Sequence, residues 1–200
     1  PVTGEYVAMQ FWDDIFSAIR LATEKGITVV QAAGNGNQNF EARVYANSNL
    51  RRDSGAIVVG AGVPANNLYS SEQDDAPPYT SMGVPRSRAW FSNHGKIVDV
   101  QGWGDHVTTL GYGDAQGGPE KRSYTHRFAG TSSASPIVTG AVACLQGIAR
   151  ASGGGLFTPA EVRKLLVKTG TPQTSDPGRP KKERVGPLPN LAKAIARSFG

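Results

Sequence analysis

The sequence contains a single cysteine, Cys144, so no disulfide can form within the chain. It also lacks an apolar run of membrane-spanning length and a signal-peptide pattern near its start, and we therefore expect no membrane partner. The chain opens at Pro1 without a methionine, which predicts a fragment or a processed product. Cys144 falls within an apolar helical pattern, so we expect it to be a small core residue.

An excess of negative charge is also absent, because 21 lysines and arginines stand against 16 aspartates and glutamates, which gives a net charge of +5. The basic residues are scattered, and their only dense group, at residues 179–184, contains and adjoins prolines and a glycine. This composition is typical of a solvated loop. Since no nucleic-acid-binding motif accompanies the charge, we expect no nucleic acid partner.

Glycine and proline, by contrast, are abundant. With 25 glycines and 13 prolines in 200 residues, the composition favours a turn-rich α/β or β-rich fold over a helical bundle. The length suits one domain with a sizeable core, and neither an internal repeat nor a domain boundary is visible.

Hydrophobic periodicity predicts a helix that feeds a short strand near the start of the chain. Residues 11–25 place apolar side chains on one helical face, at Ile15, Phe16, Ile19 and Ala22. The β-branched run of residues 27–30 then predicts a buried strand of a parallel sheet. A helix followed by such a strand is half of a βαβ unit, which favours an α/β fold.

Further elements are predicted downstream by the same reasoning. Two are buried strands, at residues 55–61 and 97–100, with a long loop at 64–88 after the first. A hairpin is predicted from residues 107–110 and 124–129, with its tip at 114–121. Three helices complete the chain: an apolar helix after Ser132, a helix opened by a capping box at Thr158 and Glu161, and a short helix from Leu191.

The most informative stretch is residues 130–136, which reads Gly-Thr-Ser-Ser-Ala-Ser-Pro and precedes the apolar helical run. Pro136 fits the first turn of a helix, so we place Ser132 at the helix N-terminus. There, free backbone N–H groups and the positive end of the helix dipole would stabilise negative charge on a substrate carbonyl oxygen. Serine and threonine before an apolar helix are also ordinary N-caps, and taken alone that is the more common explanation.

Asn35 is a second candidate, because it ends the run Ala-Ala-Gly-Asn that follows the first predicted strand. Taken alone, the sequence Gly-Asn-Gly-Asn of residues 34–37 is typical of a turn, and Asn35 would be an ordinary loop asparagine.

Together, the two stretches resemble the subtilisin-like serine proteases, whose signature is Gly-Thr-Ser-x-Ala-Ser-Pro. The resemblance implies that Ser132 is the nucleophile of a serine endopeptidase that acts through an acyl-enzyme, and that the Asn35 amide lies in the oxyanion hole. It also implies substrate binding by neighbours of these residues: Ala32, Ala33, Gly34, Gly130 and Thr131. The implied fold is an α/β, parallel-sheet, subtilisin-like fold that lacks its N-terminal strands and helices. Residues 1–200 would be the C-terminal part of a single peptidase domain.

A serine hydroxyl needs an adjacent base, usually a histidine oriented by a carboxylate. Asp53 and His94 precede Ser132 in the order that subtilisin uses, but Asp53 precedes a strand and His94 leads into one, which is unlike the family pattern. In the family the oxyanion asparagine follows both residues, whereas Asn35 precedes both. We therefore reject this pair and expect an N-terminal segment or a separate chain to supply the catalytic aspartate and histidine. The isolated chain should be inactive.

The resemblance further implies a polypeptide substrate and a secreted or extracytoplasmic location. Calcium is a cofactor that the family resemblance allows, and Asn37, Asn39 and Glu41 supply oxygens, but their spacing matches no metal signature and we predict no metal site. One alternative function stays open, that of a catalytically silent, protease-like domain that binds peptides or a protein partner. The sequence upstream of Pro1 would decide between the two.

Overall fold

The computed structural model describes residues 6–65, 83–111 and 123–200. The predicted hairpin tip at residues 114–121 and residues 66–82 of the predicted long loop lie outside these ranges.

A three-stranded parallel sheet forms the centre of the described structure. Its strands are β1 (Val30–Ala32), β2 (Ile57–Gly62) and β3 (Val100–Trp103), in the order β1-β2-β3. Val30 of β1 pairs with Ile57, and Val59 pairs with Val100 of β3. Every residue of β2 is buried, as expected for an apolar strand between two parallel neighbours. The predicted α/β class with a parallel sheet is confirmed.

Two strand boundaries differ from the prediction. β1 begins at Val30 rather than at Ile27, whose side chain is 59% exposed, and β3 begins at Val100 rather than at Ile97. The β-branched residues mark the approach to each strand, but a ladder of hydrogen bonds forms only where a neighbouring strand is in register. Both strands therefore extend further towards their carboxyl ends than the sequence predicts.

The described residues form four α-helices: α1 (Asp13–Glu24), α2 (Thr131–Ala151), α3 (Pro159–Thr169) and α4 (Leu191–Phe199). α2 packs against all three strands. The main core is formed by apolar residues of the sheet and the last three helices, among them Ile57, Val59, Val100, Val138, Val142, Leu145, Leu166 and Ala194. This core holds the first turn of α2 in a fixed position relative to the strands.

The remaining predicted elements are also present. α1 buries Phe16 and Ile19, and α3 opens with the predicted capping box, in which Thr158 and Glu161 exchange hydrogen bonds. β4 (Val107–Leu110) and β5 (Tyr124–Phe128) pair antiparallel as the predicted hairpin strands. Short 3-10 helices occupy Met9–Phe11, Arg43–Tyr45 and Asn49–Arg51.

Two predictions for α2 are wrong. Cys144 is exposed, because it lies outside the buried stripe that contains Ala141, Val142 and Leu145. Pro136 lies in the second turn rather than the first, since the helix begins at Thr131. A proline there has no N–H to donate to the carbonyl of Ser132, one turn earlier.

Among the described residues, α2 is also the one helix that is long and apolar enough to cross a membrane, judged by length and composition alone. Serine, threonine and glycine interrupt the apolar residues of α2, so its sequence contains no continuous apolar run. The contacts of α2 with β1, β2 and β3 identify it as the core helix of this sheet.

Candidate active site

The candidate site lies at the edge of the sheet where β1 and β3 end and α2 begins. After β1 the chain continues through Gly34 to Asn35, and after β3 the carbonyl of Gly104 accepts a hydrogen bond from the N–H of Gly130 at 2.8 Å. Because the strands are parallel, their carboxyl ends bring both connections to the same edge. Such edges are where open α/β sheets place their ligand-binding residues.

The start of α2 adopts a conformation that requires glycine. Gly130 is the N-cap residue with φ 108°, a region that side chains other than glycine rarely adopt. A Cβ atom on residue 130 would also lie 3.0 Å from Nδ2 of Asn35. The Ser133 hydroxyl donates to the carbonyl of Trp103 at 2.9 Å and so holds the first turn against the end of β3. Ser132, between these fixed residues, is exposed to solvent.

Two short hydrogen bonds join the side chain of Asn35 to Thr131. Asn35 Oδ1 accepts from the Thr131 N–H at 2.8 Å and from the Thr131 hydroxyl at 2.8 Å. The same hydroxyl accepts from the N–H of Gly34 at 3.1 Å. With its oxygen held by two donors, the amide of Asn35 has Nδ2 left to donate elsewhere. The structure therefore brings Asn35 against the residue that precedes Ser132, although the two segments are 96 positions apart.

The predicted substrate-binding residues surround this contact. Ala33, Gly130 and Thr131 are buried, Ala32 and Gly34 are half-buried, and the two predicted catalytic residues Ser132 and Asn35 are exposed. Two exposed polar side chains, supported by buried and hydrogen-bonded residues, suit a site that a substrate reaches from solvent. The roles of these residues in binding and catalysis stay predictions.

The rejected pair, Asp53 and His94, is not assembled at this site. Both carboxylate oxygens of Asp53 accept from the guanidinium of Arg163, at 2.6 and 3.1 Å. Asp53 precedes β2 and so lies towards the amino ends of the strands, opposite the edge that carries the candidate site. His94 is buried, and burial together with the positive charge of Arg88 lowers its pKa.

Asp99 is a second carboxylate at the amino ends of the strands. Its Oδ2 accepts from the N–H of Val58 at 2.9 Å, and its Oδ1 accepts from Nε of Arg163 at 3.0 Å. Burial raises the pKa of Asp99 to about 6, and the charge of Arg163 only partly opposes this shift. Burial also acts to raise the pKa of Asp53, but the hydrogen bond from Arg163 and further favourable contacts outweigh it and lower that pKa. Arg163 thus ties α3 to the starts of β2 and β3.

The three oxygens considered for calcium are bound by donors of the protein. Asn37 Oδ1 accepts from Arg88 at 2.8 Å, Asn39 Oδ1 accepts from the N–H of Glu41 at 2.9 Å, and the Glu41 carboxylate pairs with Arg51 at 3.1 Å. Within residues 6–65, 83–111 and 123–200, no group of three or more histidine, cysteine, aspartate or glutamate side chains could hold a metal ion.

Two features beside the site have no role in the sequence analysis. His106 Nδ1 lies 2.8 Å from Asp105 Oδ2, directly after the Gly104 carbonyl that binds the start of α2. In the sequence, the pair could have been noticed because Asp105 and His106 are adjacent. The second feature is Asn93, whose backbone N–H donates to the carbonyl of Gly34 at 3.0 Å. In the sequence, Asn93 lies in the stretch Phe-Ser-Asn-His-Gly, shortly before the strand predicted at residues 97–100.

The arrangement can stabilise a negatively charged oxygen beside an exposed hydroxyl. Ser132 lies in the first turn of α2, where the helix dipole is positive and the helix has no carbonyl one turn earlier to accept from the Ser132 N–H. The Asn35 amide adds a side-chain donor next to this turn. Donors fixed in place before reaction are the usual means by which enzymes stabilise the oxyanion of acyl transfer.

Comparisons with known proteins identify the family of this chain. The sequence model of the subtilase family matches residues 4–186. An alkaline proteinase of Hapsidospora chrysogena is 28% identical over 169 residues, which cover 84% of this chain and 33% of that protein. An extracellular protease of Xanthomonas campestris is 34% identical over 154 residues, which cover 76% of this chain and 21% of that protein.

Solved structures show the same fold. The patellamide maturation protease PatA superposes with a TM-score of 0.63 at 22% identity, over 96% of this chain and 60% of that one. The match of the family model over residues 4–186 shows that the chain belongs to the subtilase family, as the sequence resemblance predicted. It spans a third or less of the length of the two curated relatives.

Proposed function

We propose that this chain forms the C-terminal part of a subtilisin-like serine endopeptidase domain, with Ser132 as nucleophile and Asn35 in the oxyanion hole. The observation that supports this most directly is the pair of 2.8 Å hydrogen bonds between Asn35 Oδ1 and Thr131, beside the exposed Ser132. Membership of the subtilase family and the proteases among its relatives support the reaction class.

In the proposed reaction, the Ser132 hydroxyl attacks the scissile carbonyl of an extended polypeptide. A histidine takes the hydroxyl proton, and the Asn35 amide and the Ser132 N–H donate to the oxygen that becomes negative. The histidine then gives its proton to the leaving amine, and the acyl-enzyme on Ser132 is hydrolysed by water. Asn35 and the α2 N-terminus act on the same oxygen in both steps.

The neighbours of the two residues would shape the binding surface. Gly34 and Gly130 allow the loop and the α2 N-terminus to pack closely around Asn35, since a Cβ on Gly34 would overlap the Tyr6 carbonyl oxygen and one on Gly130 would lie 3.0 Å from Asn35 Nδ2. Thr131 holds the Asn35 amide, while Ala32 and Ala33 connect the site to β1. We propose that these five residues contact or support the bound polypeptide.

The aspartate and histidine of the triad would come from a segment outside residues 1–200. The greater length of the relatives is consistent with such a segment, since this chain covers 60% of the protease PatA. One relative is named an extracellular protease, and we propose the same location for this protein. The alternative is a catalytically silent domain, and it predicts peptide binding without cleavage.

The test uses the protein together with its complete upstream segment, a fluorophosphonate serine probe and a peptide anilide substrate. We expect the probe to label Ser132, identified by mass spectrometry, and Ser132→Ala to abolish both labelling and hydrolysis. Ser135→Ala is the matched control, because Ser135 lies one turn further along α2 and outside the proposed machinery.

Three outcomes would count against the proposal. Hydrolysis that survives Ser132→Ala would place the reaction elsewhere, and intact binding without labelling or hydrolysis would favour the silent domain. Normal labelling of the isolated 200-residue chain would show that the chain contains its own base, and loss of that labelling in His106→Ala would identify it.

A further inference from the structure

One buried side chain, that of Asn93, holds the loop that carries Asn35 from both sides. Asn93 Nδ2 donates to the carbonyl of Ala33 at 2.7 Å, before Asn35 in the chain. Asn93 Oδ1 accepts from the N–H of Gly36 at 3.1 Å and from the N–H of Gln38 at 2.7 Å, after it. Asn35 therefore lies in a loop whose two ends are bound to one amide group.

The hydrogen-bonding capacity of this amide is fully used. Asn93 Nδ2 also donates to the carbonyl of Tyr6 at 2.6 Å, so both donors and both acceptor positions have partners. These four partners fix which atom is oxygen and which is nitrogen. The Asn93 side chain is 0% exposed, and its loss would leave buried backbone groups without partners.

The space around Gly34 shows how closely this loop is packed. Gly34 has φ 94°, and a Cβ atom on it would overlap the carbonyl oxygen of Tyr6 and lie 2.7 Å from Asn93 Nδ2. The Gly34 carbonyl accepts from the backbone N–H of Asn93 at 3.0 Å, and the Gly34 N–H donates to Thr131. The backbone immediately before Asn35 thus has little freedom to move.

The turn that carries Asn93 is itself held by a buried ion pair. Arg88 is 4% exposed and pairs with Glu183 at 2.7 Å. The guanidinium of Arg88 donates to the carbonyl of Ser92 at 2.8 Å, next to Asn93, and to Asn37 Oδ1 at 2.8 Å. The same group therefore fixes the supporting turn and the far end of the Asn35 loop.

We propose that Asn93 is a positioning residue for catalysis. It holds the backbone on both sides of Asn35, so that Nδ2 of Asn35 points at the developing oxyanion. The proposal rests on the proposed function and adds a residue that acts only through Asn35. Thr131 fixes the Asn35 side chain, and Asn93 fixes the backbone beneath it. Because the oxyanion forms only in the transition state, a misplaced Asn35 lowers kcat and leaves KM largely unchanged.

The test compares Asn93→Ala and Asn93→Asp in the protein with its complete upstream segment. Asn93→Asp keeps the side-chain shape and an acceptor for Gly36 and Gln38 but loses at least one of the two donors to the carbonyls of Tyr6 and Ala33. It is the second variant to measure if Asn93→Ala does not fold. Asn49→Ala is the matched control. Asn49 is also buried and donates to Asp13 at 2.7 Å, but it lies outside the candidate site.

We expect each Asn93 variant to lower kcat roughly 10- to 100-fold, within the loss that follows removal of one oxyanion donor, with KM changed less than about threefold. In an Asn35→Ala background the same substitution should lower kcat by less than about threefold, because the group that it positions is gone. Asn49→Ala should reduce the unfolding free energy and leave kcat unchanged. An equal loss of kcat with and without the Asn35 amide would overturn the proposal.

A readout that does not depend on activity separates this proposal from the proposed function. If the wild-type protein shows no Ser132-dependent hydrolysis, the proposed function fails, and amide hydrogen exchange then decides the role of Asn93. We expect the Gly36 and Gln38 amides to lose at least roughly tenfold protection in Asn93→Ala, which removes their shared acceptor, while the Phe16 amide of α1 keeps its protection. Unchanged protection of Gly36 and Gln38 would show that Asn93 does not hold the loop.

Discussion

The hydrogen bonds of Asn35 explain at the residue scale how two distant motifs become one candidate site. Thr131 supplies both donors to Asn35 Oδ1, and Gly130 leaves room for Nδ2 on the other side. The two motifs, Ala-Ala-Gly-Asn and Gly-Thr-Ser, are visible in the sequence. Which atom of one meets which atom of the other depends on the packing of α2 on the sheet.

A substitution at Gly130 tests this contact. Gly130→Ala would place a methyl group 3.0 Å from Asn35 Nδ2 in a backbone with φ 108°, so we expect kcat for peptide hydrolysis to fall at least roughly tenfold. Unfolding in urea should show a loss of about 1 kcal/mol from the strained backbone. kcat is measured with a peptide anilide in the protein with its upstream segment.

Gly153→Ala is the matched control for that experiment. Gly153 also has a positive φ, 71°, but nothing lies within 4 Å of its Cβ position. The control should lose similar stability and keep its kcat. If both variants lower kcat by the same factor, backbone strain rather than contact with Asn35 is responsible, and the interpretation of Gly130 is wrong.

At the scale of elements, the sequence predicted which helices and strands exist better than where the strands begin. The amphipathic face of α1 and the capping box of α3 are local patterns, and both are confirmed. The starts of β1 and β3 depend on pairing with β2, which local propensity does not contain. The burial of Cys144 was predicted wrongly for the same reason, since the buried stripe of α2 is set by the sheet beneath it.

The cluster of Asp99 and Arg163, which joins α3 to the sheet, predicts a pH dependence of stability. The folded pKa of Asp99, about 6, lies above its unfolded value near 4, so the folded state holds more protons between these pH values. The stabilising contribution is complete below about pH 4 and is lost as the pH rises through 6. Relative to Asp99→Asn, the wild-type free energy of unfolding should fall by about 2 kcal/mol from pH 4 to 7.

Urea unfolding at pH 4, 5, 6 and 7 measures this difference. Asp53→Asn is the control of opposite sign, because the lowered pKa of Asp53 gives a contribution that is present above about pH 4 and lost in more acidic solution. A constant difference between wild type and Asp99→Asn across this range would show that Asp99 does not titrate as stated.

At the scale of the whole molecule, family membership, fold class and the two candidate catalytic residues followed from short motifs. The supports of the site did not, because Asn93, Arg88 and the bond between Gly104 and Gly130 act through contacts between distant segments. A motif shows which side chain has the reactive group. The residues that hold this side chain in place can be identified only from the structure. We propose that the triad aspartate and histidine come from a segment beyond the 200 residues.

The central claim is that Ser132 and Asn35 act on one carbonyl oxygen. The most direct measurement is a crystal structure of the protein, with its upstream segment, after reaction with a peptidyl phosphonate. We expect a covalent bond from Ser132 Oγ to phosphorus and a phosphoryl oxygen within about 3 Å of Asn35 Nδ2. A protein that forms no adduct at Ser132, or an adduct whose phosphoryl oxygen points away from Asn35, would contradict it.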